Sequence, residues 1–121
     1  MILIIDDEID VRRVTMHMIQ RMGFTTLEAV DGQQGITLFQ SYGSEISCVL
    51  LDLTMPRTNG AEVLQVLRSI HMHTPIIMMS GYSESEMSTR LHATPPDGFL
   101  QKPFTLNDIR VALQRVVNLP Q

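Results

Sequence analysis

Two short, uninterrupted apolar runs each end on acid. Met1-Ile2-Leu3-Ile4-Ile5 leads into Asp6-Asp7, and Cys48-Val49-Leu50-Leu51 leads into Asp52. A strand that is apolar at consecutive positions is buried on both faces. That is the signature of a parallel sheet covered by helices, not of an antiparallel sheet with one wet side. Side by side in such a sheet, the two strands bring three carboxylates to one edge. At about 4 Å and an effective dielectric of about 20, each like-charge contact costs roughly 4 kcal/mol. A divalent cation offsets that cost, and hard oxygen ligands with little else around them suit Mg²⁺.

The rest of the chain alternates in the same way. Asp10 to Arg21 carries Val11, Val14, Met18 and Met22 at helical spacing, with Gly23 placed to close that helix. Thr25 to Ala29 is a short β-branched stretch, and Asp31 is placed to cap a helix through about Gln40. Gly60 to about Ile70 predicts a helix with Val63, Leu64 and Leu67 on one face, and Pro75 to Met79 a fourth strand. Ser83 to about His92 predicts a weaker helix with few apolar anchors. Gly98 to Leu100 reads as a short fifth strand, and Leu106 to Val117 as the last helix. Five strands alternating with five helices predict one α/β domain over residues 1–121, a doubly wound parallel sheet. Ligands in such sheets bind beyond the carboxyl ends of the strands, where the strand order reverses. Asp6-Asp7, Asp52, Ser80 and Lys102 each fall at or just past a strand end.

Composition narrows the function classes. With 121 residues the chain is one domain of ordinary size and needs no disulfide staples. Cys48, the single cysteine, reads as a small buried hydrophobe in a reducing, cytoplasmic compartment. No apolar run approaches about 20 residues and no signal peptide is visible, so no membrane contact is expected of this domain. A formal net charge of −4 argues against nucleic-acid binding through a broad basic patch. The nine methionines read as core filler. His71 and His73 form a pair with no further metal ligand evident, so both read as solvated loop residues, and His17 and His92 as surface positions on helices.

The strand-end residues form a chemical set. A carboxylate such as Asp52 can act as a nucleophile and become an aspartyl phosphate. Phosphoryl transfer asks mainly for positioning and charge neutralisation. Asp7 and Asp52 would bind Mg²⁺ directly, and Asp6 directly or through water. Lys102 would pair with Asp52 when the site is empty and with a phosphoryl oxygen when it is filled. Ser80 would donate to another phosphoryl oxygen, with backbone N–H groups near Thr54 and Gly81 completing the cradle. Each residue has a plainer explanation: Asp6 or Asp7 as a helix cap, Ser80 as a loop residue, Lys102 as a solvated lysine. Those explanations do not account for all five lying at strand ends in this order.

Four segments carry a resemblance: Ile-Ile-Asp-Asp-Glu (Ile4 to Glu8), Leu-Asp-Leu-Thr-Met-Pro (Leu51 to Pro56) with Asn59-Gly60, Met-Ser-Gly-Tyr (Met79 to Tyr82) and Phe-Leu-Gln-Lys-Pro-Phe (Phe99 to Phe104). From Ile2 to about Val117 the chain resembles the receiver domain of two-component response regulators. The resemblance implies a flavodoxin-like (βα)5 fold with strand order 2-1-3-4-5. It implies Asp52 phosphorylated from the phosphohistidine of a histidine kinase or phosphotransfer domain, and a Mg²⁺ site of Asp6, Asp7, Asp52 and the main-chain carbonyl of Thr54. Ser80 and Lys102 would read the phosphoryl group. Such a domain promotes only its own phosphorylation and dephosphorylation.

The family's switch is implied too. Ser80 would move towards the phosphoryl group while Phe99, on the fifth strand, turns inward. The responsive surface would be the fourth helix, fifth strand and last helix, through which receivers often pair as homodimers. Thr54 and Tyr82 match positions that tune phosphoryl lifetime, and Tyr82 is large enough to restrict water. The wording of the motifs resembles receivers attached to hybrid histidine kinases, whose parent chains can be membrane-anchored, and the abrupt start suggests excision from something longer. Two other classes share features. A haloacid dehalogenase phosphatase also uses an Asp nucleophile with a Ser or Thr and a Lys, but in an Asp-x-Asp pattern on the first strand. A flavin carrier needs a phosphate loop after the first strand, where Asp6, Asp7 and Glu8 would repel it. A phosphate-independent interaction module is the third alternative.

Overall fold

The computed structural model describes residues 1–55, 59–91 and 93–118. Pro56, which closes one of the family-like segments, His92 and Leu119 to Gln121 lie outside the described residues. The elements run β1 (Ile2–Ile5), α1 (Ile9–Arg21), β2 (Thr26–Ala29), α2 (Gly32–Tyr42), a 3₁₀ turn (Gly43–Glu45), β3 (Cys48–Asp52), α3 (Gly60–Ile70), β4 (Ile76–Ser80), α4 (Glu84–Arg90), β5 (Gly98–Gln101) and α5 (Leu106–Gln114). Among the described residues the sheet is parallel and five-stranded, in the order β2-β1-β3-β4-β5. The expected doubly wound fold is present.

Alternate strand residues supply two cores. Leu3, Ile5, Val49, Leu51, Ile76 and Met78 meet Phe39, Leu64, Leu67 and Met87 from α2, α3 and α4. Ile2, Ile4, Cys48, Leu50, Ile77 and Met79 meet Ile19 of α1 and Ile109 and Leu113 of α5. Each fully buried aliphatic side chain contributes about 1.5–3 kcal/mol, and the strands β1, β3 and β4 are buried at every position. Cys48 is among them, and burial pushes its thiol up to about 12, which leaves it inert at neutral pH.

Helix ends follow local chemistry. Asp31 accepts from the Gln34 N–H and Asn59 from the Ala61 N–H. Ser83 with Glu86, and Thr105 with Asp108, form reciprocal caps. Gly23, at φ +98°, takes the left-handed turn after α1. α4 is shorter than its sequence pattern suggests and is anchored chiefly by Met87, with Leu91 just beyond it. α5 ends at Gln114, short of the expected Val117.

The largest departure is on α1. Of the expected apolar stripe Val11, Val14, Met18 and Met22, the two methionines pack against the core from partly buried positions, but Val14 is 54% exposed. The buried face is Arg12, Thr15 and Ile19. Met72 is likewise 70% exposed and not core filler. His17 and His73 are exposed as expected, while His71, also exposed, meets the Phe39 ring edge-on at 5.5 Å. No helix among the described residues is long and apolar enough to cross a membrane.

Candidate functional site

β1 and β3 are neighbours, with Ile5 paired to Leu51. That register sets Asp6 and Asp52 side by side at the carboxyl edge. Both are buried, at 0% and 1% exposure, whereas Asp7 is exposed. One carboxylate oxygen from each of Asp6, Asp7 and Asp52 lies within 4.8 Å of the other two.

Lys102 reaches the same point from the far side of the sheet. Its N–H donates to the Ser80 carbonyl at 2.7 Å, which extends the β4–β5 ladder by one bond beyond β5. The following peptide, Lys102–Pro103, is cis. The ammonium then lies 2.9 Å from Asp6 Oδ2 and 3.4 Å from Asp52 Oδ2. Lys102 was expected to pair with Asp52; it pairs with both acids, and more closely with Asp6.

The electrostatics follow from this crowding. Burial pushes the Asp52 carboxyl above the usual range and neighbouring Asp6 adds to the push, against the pull of Thr54 and Lys102. Burial alone would lower Lys102, but Asp6 and Asp52 outweigh it and hold the ammonium above the ordinary lysine value. Three carboxylates face one ammonium. Hard oxygen donors with excess negative charge fit a divalent cation such as Mg²⁺.

The remaining expected residues fall around this centre. The Thr54 N–H and hydroxyl both donate to Asp52 Oδ1 at 3.1 Å, so that N–H steadies the carboxylate. The sequence predicts backbone N–H groups near Thr54 in a phosphoryl cradle; in the structure this one is turned to Asp52. Ser80 ends β4, fully buried, and its Oγ accepts from the Tyr82 N–H at 3.0 Å. That bond uses an oxygen lone pair and leaves the hydroxyl proton to another acceptor. Tyr82 is half-buried, and its ring lies 4.2 Å beneath the Arg90 guanidinium. Phe99 lies on β5, half-buried against the core that holds Met78 and Met87.

Two residues escaped the sequence reading. Arg12 is buried beneath the site, with Nη1 donating to the Asp6 carbonyl at 2.8 Å and Nε to Glu28 Oε1 at 3.0 Å. The available signal is the shared helical face of Arg12, Thr15 and Ile19, which the apolar stripe of Val11, Val14 and Met18 outweighs in the sequence.

Fold and site together define a receiver-type domain. The model of the family described as "Response regulator receiver domain" matches residues 2–114, and the chain belongs to that family. It is 31% identical over 116 residues to "Sensor kinase CckA" of Brucella abortus, and 33% identical over 118 residues to "Regulatory protein AtoC" of Escherichia coli. These matches take in 96% and 98% of the chain but only 12% and 25% of those relatives. Among solved structures, Vibrio cholerae chemotaxis protein CheY4 is 29% identical with a TM-score of 0.87, over 96% of this chain and 97% of that one. The receiver domain of hybrid histidine kinase CckA is 25% identical with a TM-score of 0.79, over 96% and 98%. As a receiver the chain is a phosphoacceptor module of two-component signal transduction. The comparisons favour neither the phosphatase nor the phosphate-independent module.

Proposed function

We propose that Asp52 accepts the phosphoryl group of a phosphohistidine on a histidine kinase or phosphotransfer domain. The observation that carries this reading is the convergence of Asp6, Asp7 and Lys102 on Asp52 at the carboxyl edge of the sheet. An Asp52 carboxylate oxygen forms a bond to phosphorus as the phosphorus–nitrogen bond of the donor breaks. The electron pair stays with the imidazole nitrogen. Lys102 follows the charge from the carboxylate to a phosphoryl oxygen, and the Ser80 hydroxyl proton serves a second oxygen. Asp6, Asp7, Asp52 and the Thr54 carbonyl would hold Mg²⁺. Bound there, the ion neutralises the acids and the phosphoryl oxygens.

After transfer, Ser80 and Phe99 are the residues we assign to the switch, and α4, β5 and α5 to the responsive face, which is also the candidate face for homodimers. Support for a protein donor comes from α1. A groove of about 500 Å³ beside Lys102 is lined by Val11, Val14, Met18 and Phe104, with Val14 54% exposed. Such a face suits a helix that presents a phosphohistidine. The likeness to sensor kinase CckA supports a place in a hybrid kinase, and that to AtoC a place in a regulatory protein.

Incubation with phosphoramidate, whose phosphorus–nitrogen bond mimics the donor, tests the reading. We expect a Mg²⁺-dependent phosphorylated chain whose acyl phosphate is lost in alkali. A label stable to alkali would mean that a different side chain is the acceptor.

A further inference from the structure

Asp7 is the exposed member of the acidic set, and among the described residues its side chain makes no hydrogen bond or ion pair. Its direction is therefore set by the backbone. The peptide unit that joins Asp6 to Asp7 is planar, so whatever holds the Asp6 carbonyl also holds the Asp7 nitrogen and the Cα from which the Asp7 side chain springs. That carbonyl is held by Arg12 Nη1 at 2.8 Å. The Arg12 side chain is only 7% exposed and is itself oriented from β2, by Glu28 at 3.0 Å.

Building a charged pair into this position is costly, because desolvation of a buried ion takes several kcal/mol and an apolar side chain is often at least as stable. A side chain chosen only to pack α1 on the sheet would be Leu or Met, like the Ile19 two turns on. What an apolar residue cannot do is donate to the Asp6 carbonyl.

The Asp6 carboxylate is itself held, by the Glu8 N–H at 3.0 Å and by Lys102 at 2.9 Å. We propose that Arg12, oriented by Glu28, is a positioning residue for the cation site: it sets the Asp6–Asp7 peptide and so places the Asp7 backbone, from which that carboxylate joins Asp6 and Asp52. The proposal rests on the receiver reading of that site. Groups that orient metal ligands from behind typically change affinity 10–100-fold when removed.

The test compares wild type, Arg12→Met, Arg12→Lys and Glu28→Gln by Mg²⁺ titration calorimetry, with thermal unfolding in chelator run in parallel. The rate of phosphorylation by phosphoramidate is then followed against Mg²⁺ concentration. Arg12→Met should raise the Mg²⁺ dissociation constant about tenfold and raise the half-saturating Mg²⁺ equally, with the rate at saturating Mg²⁺ close to wild type. Arg12→Lys keeps a donor without the planar fork and should recover part of the affinity. Glu28→Gln keeps an acceptor for the guanidinium but loses the charge that holds it firmly, should weaken Mg²⁺ by less, and carries the test if Arg12→Met does not fold. Folded variants that melt earlier but bind Mg²⁺ like wild type would overturn the proposal and leave Arg12 a packing residue. A wild type that binds no Mg²⁺ would overturn the cation site itself.

Discussion

Lys102 and Asp6 are 96 residues apart in sequence and 2.9 Å apart in space. Lys102 is thus shared between Asp6 and Asp52, and the shorter contact is to the acid we do not assign as acceptor. It can give up Asp52 to a phosphoryl oxygen and keep a counter-ion. Lys102→Met should leave Asp6 and Asp52 as buried, unpaired acids and destabilise the fold at neutral pH. Removing one partner of a buried pair typically costs about 3–5 kcal/mol, and the partial exposure of Lys102 puts the expectation at or below the low end. The folded value of Lys102 is raised, so its contribution is complete below the ordinary lysine range and is lost as pH climbs through the folded value. Chemical denaturation of both proteins at neutral pH, where wild type should be the more stable, checks this.

Asp52 is paired with Lys102, yet burial outweighs the pair and gives it the opposite sign from an ordinary salt-bridged carboxylate. Its folded value lies above the ordinary one, so the folded chain binds the proton more tightly than the unfolded chain. The stability that this protonation provides is complete below about pH 3.9 and is lost as pH rises through the folded value. At neutral pH the charged form is a burden, and Asp52→Asn should melt higher than wild type in chelator. One kcal/mol of relief is worth about 4 °C in a domain of this size, and a rise of that order is expected. The gap should shrink as pH falls towards 4, as melting curves at several pH values would show.

Asp7 should behave differently from Asp52. It is exposed and, among the described residues, unbonded, so Asp7→Asn should hardly move the melting temperature in chelator. Its effect should appear with Mg²⁺. A ligand at 100 times its dissociation constant stabilises by about 2.7 kcal/mol, and Asp7→Asn should lose most of that increment. Melting with and without Mg²⁺ separates the two roles.

Tyr82 is held beneath Arg90 and next to Ser80. Tyr82→Ala should shorten the lifetime of the phosphorylated domain by letting water reach the phosphoryl group. Arg90→Ala should shorten it less, since an exposed cation–π contact is worth about 0.5–1 kcal/mol, or roughly two- to fivefold. Decay of the phosphorylated form after donor removal measures both. An unchanged or longer lifetime in Tyr82→Ala would remove Tyr82 from the site.

Gly60 bears on the loop that follows Asp52. A Cβ there would lie 2.8 Å from Leu53 Cα and 3.0 Å from the Leu53 carbonyl oxygen, contacts with backbone that has little freedom to give. Gly60→Ala should cost about 1–3 kcal/mol of stability, measured by denaturant unfolding, and displace Thr54 from Asp52.

The strand ends were legible in sequence because burial makes a strand uniformly apolar and the acid that stops it conspicuous. Asp6, Asp7 and Asp52 stand out for that reason, Ser80 and Lys102 only by their place at or just past a strand end, and the structure gathers them at one edge. Element ends shifted by a residue or more, since periodicity does not see the last ladder bond; β3 and β4 run on through Asp52 and Ser80. Arg12 was not legible. An arginine on an amphipathic helix ordinarily faces water, and only the fold brings it to Glu28 on β2 and to the Asp6 carbonyl. The sharing of Lys102 was hidden likewise, because motif spacing gives proximity to Asp52 without saying which acid lies nearer.

Asp52 as acceptor is the central claim, and intact mass after incubation with acetyl phosphate tests it most directly, for wild type and Asp52→Asn, each with Mg²⁺ and with chelator. The account predicts a single phosphoryl adduct on wild type with Mg²⁺, and none in chelator or on the variant. An adduct that persists on Asp52→Asn would contradict it.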